Sequence, residues 1–220
     1  MRNLESDGFL IVDDVLPKET IEEAIAFLGN DTAKCAGTRR LLDYPWCRKI
    51  IESLASHPAL MAMLQRTPIA IQCTYFDKSA ELNWLVALHQ DLSIPVKSLV
   101  QHPALGKWSE KEGRWFVQSP TSLLDRLLAV RVHLDDASEE NGALRVVPGT
   151  HRLGKIEQHR AGELRRQFGE ELCSASAGAV MLMNPLLLHG SSKATSTEHR
   201  RVLHYLLAPA DPGFGLEWPD

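Results

Sequence analysis

The chain is most constrained by a run of short apolar segments in its last two thirds, each ended by turn-forming residues. Segments rich in β-branched and aromatic residues, with apolar positions alternating, are typical of strands. Many short strands between regular turn signals predict a sandwich or barrel. Closing such a sheet gives a jelly roll with a concave mouth, where strand ends can present a metal. The predicted strands are residues 69–77, the stretch around His89, and residues 123–135, 143–147, 178–188 and 201–208.

The first third of the chain is predicted to be mostly helical. After a short strand at residues 8–16, Pro17 opens a helix that runs to about Leu28, and further helices are predicted at about residues 46–55 and 58–65. A chain of 220 residues suits one domain with a sizeable core. We therefore expect a mainly β fold with flanking helices in one domain, residues 1–220. Its two parts are a helical front at about 17–66 and a jelly-roll core at about 69–208.

Two connections stand out. Residues 92–121 contain several prolines and glycines, which predict a long irregular loop with short elements. A loop of this length in a compact domain is usually either functional, such as a lid, or disordered, and residues 95–120 are expected to border the metal mouth and to be less ordered than the sheet. The second connection is Asn141-Gly142, a strong hairpin signal between two predicted strands.

Composition excludes several classes of partner. The net charge of −4 offers no electrostatic reason to bind nucleic acid or an anionic membrane. No apolar run approaches the roughly 20 residues that span a bilayer, and the first residues lack the apolar core of a secretory signal. The cysteines are far apart in sequence and form no metal-binding pair, which favours reduced thiols in a cytoplasmic protein. They are Cys35, Cys47, Cys73 and Cys173.

Metal-binding chemistry is indicated by a histidine and an aspartate two residues apart. In an extended strand such residues point to the same face, so an imidazole and a carboxylate can share one metal ion. With a second histidine they form the 2-His-1-carboxylate triad typical of non-heme Fe(II) oxygenases. The chain contains two such pairs, His89/Asp91 and His133/Asp135. The spacing alone does not choose between them.

Several motifs, in order along most of the chain, resemble the phytanoyl-CoA dioxygenase family. The resemblance implies a double-stranded β-helix of the jelly-roll, cupin-like type, and an enzyme that uses Fe(II), 2-oxoglutarate and O2 to hydroxylate an unactivated C–H bond of a small molecule. It also implies that 2-oxoglutarate is converted to succinate and CO2. The motifs are Asp7-Gly8-Phe9, His89-Gln90-Asp91, residues 141–151 from Asn141-Gly142 to His151, Leu188-His189-Gly190-Ser191 and Arg200-Arg201.

The resemblance assigns the metal ligands. Its order of motifs selects His89 and Asp91, leaving His133 as a cavity or core residue, and His189 becomes the third ligand. The nearby His199 and His204 are weaker choices for that third position.

The same resemblance implies a binding site for the cosubstrate 2-oxoglutarate. An arginine grips the distal carboxylate of 2-oxoglutarate because its rigid fork matches a carboxylate and stays charged when buried. Strand parity allows Arg200 or Arg201, and the family spacing selects Arg200. The further candidate contacts are Ser191, Gln72, Thr74 and Arg131.

Three residues are candidates for substrate contact, each with an alternative role. Trp108 could line the mouth or anchor its loop on the core, and Arg39 could point into the mouth or into solvent. Asn83 could hold the loop before the metal strand. Two alternative functions stay open: a metalloenzyme of the same fold that does not use 2-oxoglutarate, and a non-catalytic small-molecule sensor. The carboxylate at Asp91 favours hydroxylation, since related halogenating enzymes have a small residue there.

Overall fold

A computed structural model describes residues 2–31 and 38–219 of the chain. Cys35 lies outside these residues. The helices are α1 (Leu4–Asp7), α2 (Lys18–Asp31), α3 (Pro45–Ala55), α4 (Met61–Leu64), α5 (Thr121–Leu124) and α6 (Ala161–Phe168). The strands are β1 (Phe9–Val12), β2 (Ile69–Lys78), β3 (Val86–His89), β4 (Ser93–Val96), β5 (Gly106–Lys111), β6 (Arg114–Gln118), β7 (Leu128–His133), β8 (Leu144–Val147), β9 (Glu171–Cys173), β10 (Val180–Met183), β11 (Leu188–Ser191) and β12 (Arg200–Ala208).

The strands form two facing antiparallel sheets and a smaller third one. The five-stranded sheet has the order β1-β10-β7-β12-β2, and the four-stranded sheet has the order β3-β11-β8-β9. Between them lies an apolar cluster to which both sheets contribute, with Ala129 and Met181 from one and Leu144 and Val146 from the other. This arrangement confirms the predicted mainly β jelly roll. The third sheet has the order β4-β6-β5.

The two faces of the five-stranded sheet are chemically different because side chains alternate along a strand. On β12, Leu203 and Tyr205 pack with the helices α2 and α3 in one large core cluster. Their neighbours Arg200 and His204 point the other way, into the jelly roll. The helices α2, α3 and α4 therefore cover the outer face of this sheet, and the inner face is left for a site. The predicted extent of the single domain stays a prediction.

Residues 92–121 are more regular than the irregular loop with short elements that we predicted, although residues 97–105 are neither helix nor strand. The segment contains β4, β5 and β6, and the two-residue turn Glu112-Gly113 joins β5 to β6 with positive φ angles of 51° and 74°. Such a turn matches the twist of a hairpin. One face of this sheet packs its apolar side chains, among them Ile94 and Val117, into a second core cluster. Pro95 is tolerated because β4 is an edge strand that pairs only with β6.

The Asn141-Gly142 turn is also not a hairpin, because β7 and β8 belong to different sheets. The Asn141 side chain accepts a hydrogen bond from the Ser138 amide at 2.8 Å and donates one to the Asp136 carbonyl at 2.8 Å. Gly142 has φ 74°, and a Cβ there would lie 2.7 Å from the Ser192 carbonyl oxygen. The turn thus carries the chain from one sheet to the other at a point too close for any side chain.

Three predicted segments have different boundaries. The apolar run 123–135 begins as helix α5 and only then becomes β7. The run 178–188 is broken at Asn184-Pro185 into β10 and β11, which lie in different sheets. Residues 163–172, which the sequence predicts to be a helix or an exposed turn, are helical only as far as Phe168, and β9 follows. Continuous apolar runs hide such breaks, since periodicity does not register where a chain leaves one sheet for another.

Candidate metal centre and its pocket

The candidate metal ligands come from two paired strands and the bend beside them. His89 ends β3, and His189 lies opposite it on β11, with the two ring centroids 4.3 Å apart. Asp91 lies two residues beyond the end of β3, and not within the strand as predicted. Its amide donates to the Pro185 carbonyl at 2.9 Å. The structure therefore brings together the three predicted ligands, although a bend rather than strand alternation places the carboxylate.

Gln90 holds this bend and was missed by the sequence analysis. Its side-chain amide donates to the carbonyls of Leu186 at 2.6 Å and Gly154 at 2.8 Å, and its oxygen accepts from the Ile156 amide at 2.8 Å. A buried side-chain amide that makes these three hydrogen bonds is held in one orientation. The only sequence signal was its position between the two predicted ligands.

The donor atoms of the triad are arranged as a metal site requires. One ligand atom each from His89, Asp91 and His189 lie within 4.8 Å of one another. The Nδ1 atoms of His89 and His189 each lie 2.9 Å from a backbone carbonyl, those of Ala87 and Leu187. This contact places the proton on Nδ1 and leaves the Nε2 lone pair to bind a metal. The residues present fit a divalent ion.

The electrostatics of the triad agree with this fit. Burial works against the charge of Asp91, but His189, His89 and His204 outweigh it and hold the pKa of this carboxyl far below its usual range. Burial lowers the pKa of His189 to about 4. Burial also opposes protonation of His89, but the adjacent Asp91 carboxylate, 3.6 Å from its Nε2, raises the pKa of His89 overall. An ionised carboxylate and a neutral imidazole are the metal-binding forms.

A second layer of polar groups supports Asp91. His204 Nε2 lies 3.8 Å from Asp91 Oδ2, while its Nδ1 lies 3.1 Å from Arg131 NH1. Because a guanidinium only donates, His204 Nδ1 must accept, and its Nε2–H points towards the aspartate. Burial and Arg131 lower the pKa of His204 to about 3, so it stays neutral. His204 thus orients the ligand and is not part of the triad.

The other sequence candidates for the metal lie elsewhere. Asp135 accepts both ends of the Arg201 fork, at 2.8 and 2.7 Å. His133 is buried, and burial with the charges of Arg131 and Arg200 lowers its pKa to about 3. His199 Nδ1 forms a 2.9 Å hydrogen bond with Asp77 Oδ1. The structure brings none of these residues into the metal cluster.

The triad opens into a cavity of about 360 Å³ that lies between the sheets. Arg200 lines it, with only 4% of its surface exposed. Its Nε lies 3.3 Å from the Asn141 carbonyl, but its NH1 is buried with no partner in the described part of the chain. Burial and the nearby Arg131 lower the pKa of Arg200 to about 10, which still leaves it charged at neutral pH. A buried guanidinium with a free donor requires an anion, and the arrangement fits a dicarboxylate cosubstrate.

The other predicted cosubstrate residues share this cavity. Gln72 Nε2 donates to Thr74 Oγ1 at 2.7 Å, and Ser191 and Arg131 also line the cavity. Arg131 is buried with its Nε unpartnered among the described residues, and burial lowers its pKa to about 10. The structure therefore brings all four candidates to the pocket of the triad.

Lys78 is a buried residue that the sequence analysis missed. Its ammonium donates to Ser191 Oγ at 3.0 Å and to the Ser192 carbonyl at 2.7 Å. Burial, followed by the charges of Arg200 and Arg131, lowers its pKa to about 8. The sequence signal that could have found it is its spacing. Lys78 lies four residues after Thr74 on β2, and an even spacing along a strand places two side chains on the same face.

The structure places the three candidate substrate residues in different surroundings. Arg39 lines the mouth and forms a 3.0 Å ion pair with Glu112. Asn83 does not line the cavity. Its side chain forms two 2.8 Å hydrogen bonds with the backbone of Ala194, the loop-holding alternative. Trp108 packs against the second core cluster, the anchoring alternative. Sequence reasoning missed other lining residues, namely Phe76, Trp84, Lys111, Phe116 and Gln118.

A larger depression, of about 810 Å³, lies by the N-terminal segment and is lined by residues such as Arg2, Arg66 and Asn184. The metal cluster found among the described residues does not border it. Size alone therefore does not identify the site here. None of the helices in the described ranges has the length and apolar character needed to cross a membrane.

The fold and site together define a class. A jelly roll with a His-X-Asp…His cluster at its mouth and a buried arginine across the cavity is the design of a non-heme iron, 2-oxoglutarate-dependent oxygenase. The family model for phytanoyl-CoA dioxygenase (PhyH) matches residues 4–202, nearly the whole chain. The chain belongs to this family of dioxygenases, so the resemblance seen in the sequence is confirmed. The prediction of Fe(II), 2-oxoglutarate and O2 is confirmed with it, because the family depends on them.

Two curated relatives match part of the chain. A "Probable alpha-ketoglutarate-dependent hypophosphite dioxygenase" of Stutzerimonas stutzeri is 36% identical over 110 residues, covering 43% of this chain and 36% of the relative. L-proline trans-4-hydroxylase of Streptomyces griseoviridis is 29% identical over 100 residues, covering 34% of this chain and 37% of the relative. In these alignments the chain spans about a third of the length of each relative.

Among solved structures, HygX from Streptomyces hygroscopicus shares the fold. With iron bound it superposes at a TM-score of 0.63 and 16% identity, covering 94% of this chain and 84% of HygX. With nickel and 2-oxoglutarate bound the TM-score is 0.62, at the same identity and coverage. At this identity the likeness shows the fold.

Proposed function

We propose that the protein is an Fe(II)- and 2-oxoglutarate-dependent hydroxylase that oxidises an unactivated C–H bond of a small organic substrate. The observation that carries the proposal is one cavity with the His89, Asp91 and His189 cluster at one side and the open guanidinium of Arg200 at the other. A metal site explains the cluster, and a dicarboxylate that reaches from the metal to Arg200 explains the buried charge.

The relatives support the same reaction type. One is named as a hydroxylase of L-proline and the other as an alpha-ketoglutarate-dependent dioxygenase of hypophosphite, both small molecules. HygX, with the same fold, was solved with 2-oxoglutarate bound. A small-molecule substrate is therefore our proposal for this chain. The buried free thiols of Cys47, Cys73 and Cys173 support a reducing compartment, and we propose the cytoplasm.

The residues of the cavity have distinct tasks in this scheme. The iron, when bound, supplies O2 activation coupled to the oxidative decarboxylation of 2-oxoglutarate to succinate and CO2. His89, Asp91 and His189 hold it, and Gln90 keeps their bend rigid. Arg200 holds the distal carboxylate of 2-oxoglutarate.

Other residues prepare the cavity. Gln72 and Thr74 present polar atoms beside the cosubstrate, and Trp84 and Phe116 exclude water from the wall. Asp91 keeps a carboxylate where halogenating relatives need an open position, which favours hydroxylation. Arg200 in the cavity speaks against a metalloenzyme of the same fold that does not use 2-oxoglutarate. A sensor function is separated from turnover by the experiment below.

The test is iron- and 2-oxoglutarate-dependent succinate release with a panel of small amino acids and organic acids. Asp91→Ala should abolish the substrate-stimulated release, because iron loses its carboxylate ligand. His199→Ala is the matched control, since His199 lies on the surface with Asp77, and it should retain wild-type release. Equal release by wild type and Asp91→Ala contradicts the proposal. Tight 2-oxoglutarate binding without any release by wild type favours a sensor.

A further inference from the structure

The wall of the metal cavity includes one face of the sheet β4-β6-β5. On β5 and β6, the register pairs Ser109 with Phe116 and Lys111 with Arg114, so these four side chains share a face. Lys111 and Phe116 line the cavity of the triad. The opposite face of the same sheet is packed in a core cluster. Lys111 is therefore held at the mouth by a packed hairpin and not by a free loop.

Lys111 has no acidic partner in the described ranges of the chain. Its ammonium lies 4.9 Å from the centre of the Phe116 ring, a cation–π contact. Burial and the neighbouring positive charge of Arg39 lower its pKa, so nothing nearby favours its charge except the ring. The positive charges of Lys111 and Arg39 repel each other, and Lys111 has no counter-ion among the described residues, so an anion bound between the two would be favourable.

Arg39 is fixed at the same mouth by the turn of the hairpin. Glu112 accepts from Thr38 Oγ1 at 3.0 Å and from the Arg39 amide at 3.0 Å, and it pairs with Arg39 NH1 at 3.0 Å. These contacts use one of the three guanidinium nitrogens. The rest of the fork is left to a ligand, with 40% of the side chain exposed.

The charges that line the cavity do not balance. Four cationic side chains line it and one carboxylate, that of Asp91, opposes them. A divalent metal and the 2-oxoglutarate dianion would cancel each other, and Asp91 would offset Arg200. Glu112 offsets part of Arg39 from outside the lining. An excess of positive charge remains, on Arg131 beside the metal and on Lys111 at the mouth.

We propose that the substrate is a small molecule with an oxyanion group, a carboxylate or a phosphorus oxyacid, and that Lys111 and Arg39 bind this group at the mouth of the cavity. This inference rests on the proposed function and names its substrate class. The anion lies between the ammonium of Lys111 and the free part of the Arg39 fork, which orients the remainder of the substrate towards His89. A neutral substrate would leave the ammonium of Lys111 without a counter-ion as the mouth fills and water is displaced.

The test measures binding rather than turnover, so it does not require the natural substrate. The protein is loaded with Ni(II) and 2-oxoglutarate, since nickel replaces iron without O2 chemistry. Probes are then titrated by calorimetry: straight-chain monocarboxylates of three to six carbons, their primary amides, the corresponding alkylamines, methylphosphonate and methylphosphinate. At least one oxyanion should bind about tenfold more tightly than the matched amide and amine, because a charge-assisted contact is lost in both. Comparing the two kinds of oxyanion distinguishes a carboxylate from a phosphorus group.

Substitutions test whether Lys111 and Arg39 bind the oxyanion. Lys111→Met should weaken binding of that oxyanion about tenfold, Arg39→Gln should weaken it, and Lys111→Arg should restore most of it. Lys107→Met is the matched control: it removes a lysine of the same strand that does not line the cavity, and it should leave the affinity unchanged. Equal binding of amides or amines, absence of binding by every oxyanion, or an affinity unaffected by Lys111→Met overturns the inference.

The first titration of each sample, with 2-oxoglutarate alone, separates the two claims. Wild type and Lys111→Met should bind 2-oxoglutarate to the nickel form equally. Failure of wild type to bind it overturns the proposed function. Weaker binding of 2-oxoglutarate by Lys111→Met means that this lysine serves the cosubstrate, which overturns the substrate site alone.

Discussion

Arg200 and Arg201 are neighbours in the chain, but β12 places them in different surroundings. The Arg200 guanidinium lies in the cavity with a free donor, whereas the Arg201 guanidinium is paired in a bidentate contact with Asp135. The difference follows from strand alternation, since consecutive side chains point to opposite faces. At the residue scale, function here depends on which face a charged side chain takes.

Arg200→Ala should raise the apparent KM for 2-oxoglutarate by about tenfold or more, because a desolvated carboxylate loses a charge-assisted pair. Arg201→Ala should change this KM by less than about twofold, and should instead lower stability by about 1 kcal/mol through loss of a partly exposed ion pair. Succinate release over a range of 2-oxoglutarate concentrations measures the first effect, and thermal unfolding the second. The reverse ranking of the two KM values would show that the strand parity is wrong.

Lys78 should make stability depend on pH. Its pKa is about 8 in the folded protein against 10.5 for a free lysine, chiefly through burial. Between these values the unfolded chain binds more protons, so this group adds stability as pH rises through that window and costs stability below it. Lys78→Met lacks this contribution. The difference in unfolding free energy, wild type minus variant, should therefore increase between pH 7 and pH 9.5.

Urea unfolding of both proteins at the two pH values measures this difference. Lys107→Met, the change of an exposed lysine, is the control. A difference that stays constant between pH 7 and pH 9.5 would contradict the low pKa of Lys78.

The element that most changes the picture is the sheet β4-β6-β5. Its segment was expected to be a loop at the mouth, either functional, such as a lid, or disordered, but one face packs into a core cluster and the other lines the cavity. The turn Glu112-Gly113 sets the geometry of β5 and β6, and with it the positions of Lys111 and Phe116. At the element scale, a rigid wall replaces a mobile cover, so the mouth is preorganised.

Gly113→Ala should lower stability by about 1 kcal/mol, since φ is 74° there and nothing lies within 4 Å of the added Cβ. The cost would therefore come from the backbone alone. Gly29→Ala is the opposite control, because this helical glycine has ordinary φ and open space, and alanine should stabilise by about 0.5 kcal/mol. For a chain of this size, 1 kcal/mol corresponds to about 2–4 °C in Tm. A Gly113→Ala protein as stable as wild type would contradict the hairpin turn.

On the scale of the whole molecule, the site joins the two sheets. The histidine ligands belong to the four-stranded sheet, whereas Arg200, Arg131, Gln72 and Thr74 belong to the five-stranded sheet. A 2-oxoglutarate held as we propose would therefore contact side chains from both walls of the jelly roll. Binding at such a bridge should stabilise the molecule as a unit.

Mn(II) and 2-oxoglutarate together should raise Tm by more than the sum of their separate effects, because each completes the site of the other. In Asp91→Ala this synergy should vanish. Thermal unfolding with each ligand alone and with both measures this, and additive shifts in wild type would argue against a bridging cosubstrate.

Local patterns in the sequence predict many of the strands and helices and the family. Alternating apolar residues indicated most of the strands, and the helices near residues 18–31 and 45–55 followed from apolar spacing and proline positions. The motifs around His89, His189 and Arg200 were sufficient to indicate the family, which the family model then matched. These features are local, so neighbouring residues are enough to define them.

By itself, the sequence determined the types of strand and helix, the metal-binding residue types and the family. Only the tertiary structure decided which side chains meet: that Asp135 pairs with Arg201, that Gln90 holds the bend before Asp91, and that Lys78 and Lys111 join the site. It also decided that residues 93–118 form a wall, and that β7 and β8 separate into two sheets. The physical reason is that sheet pairing joins residues far apart in the chain. Burial and charge at a site are therefore sums over several strands, which no local pattern contains.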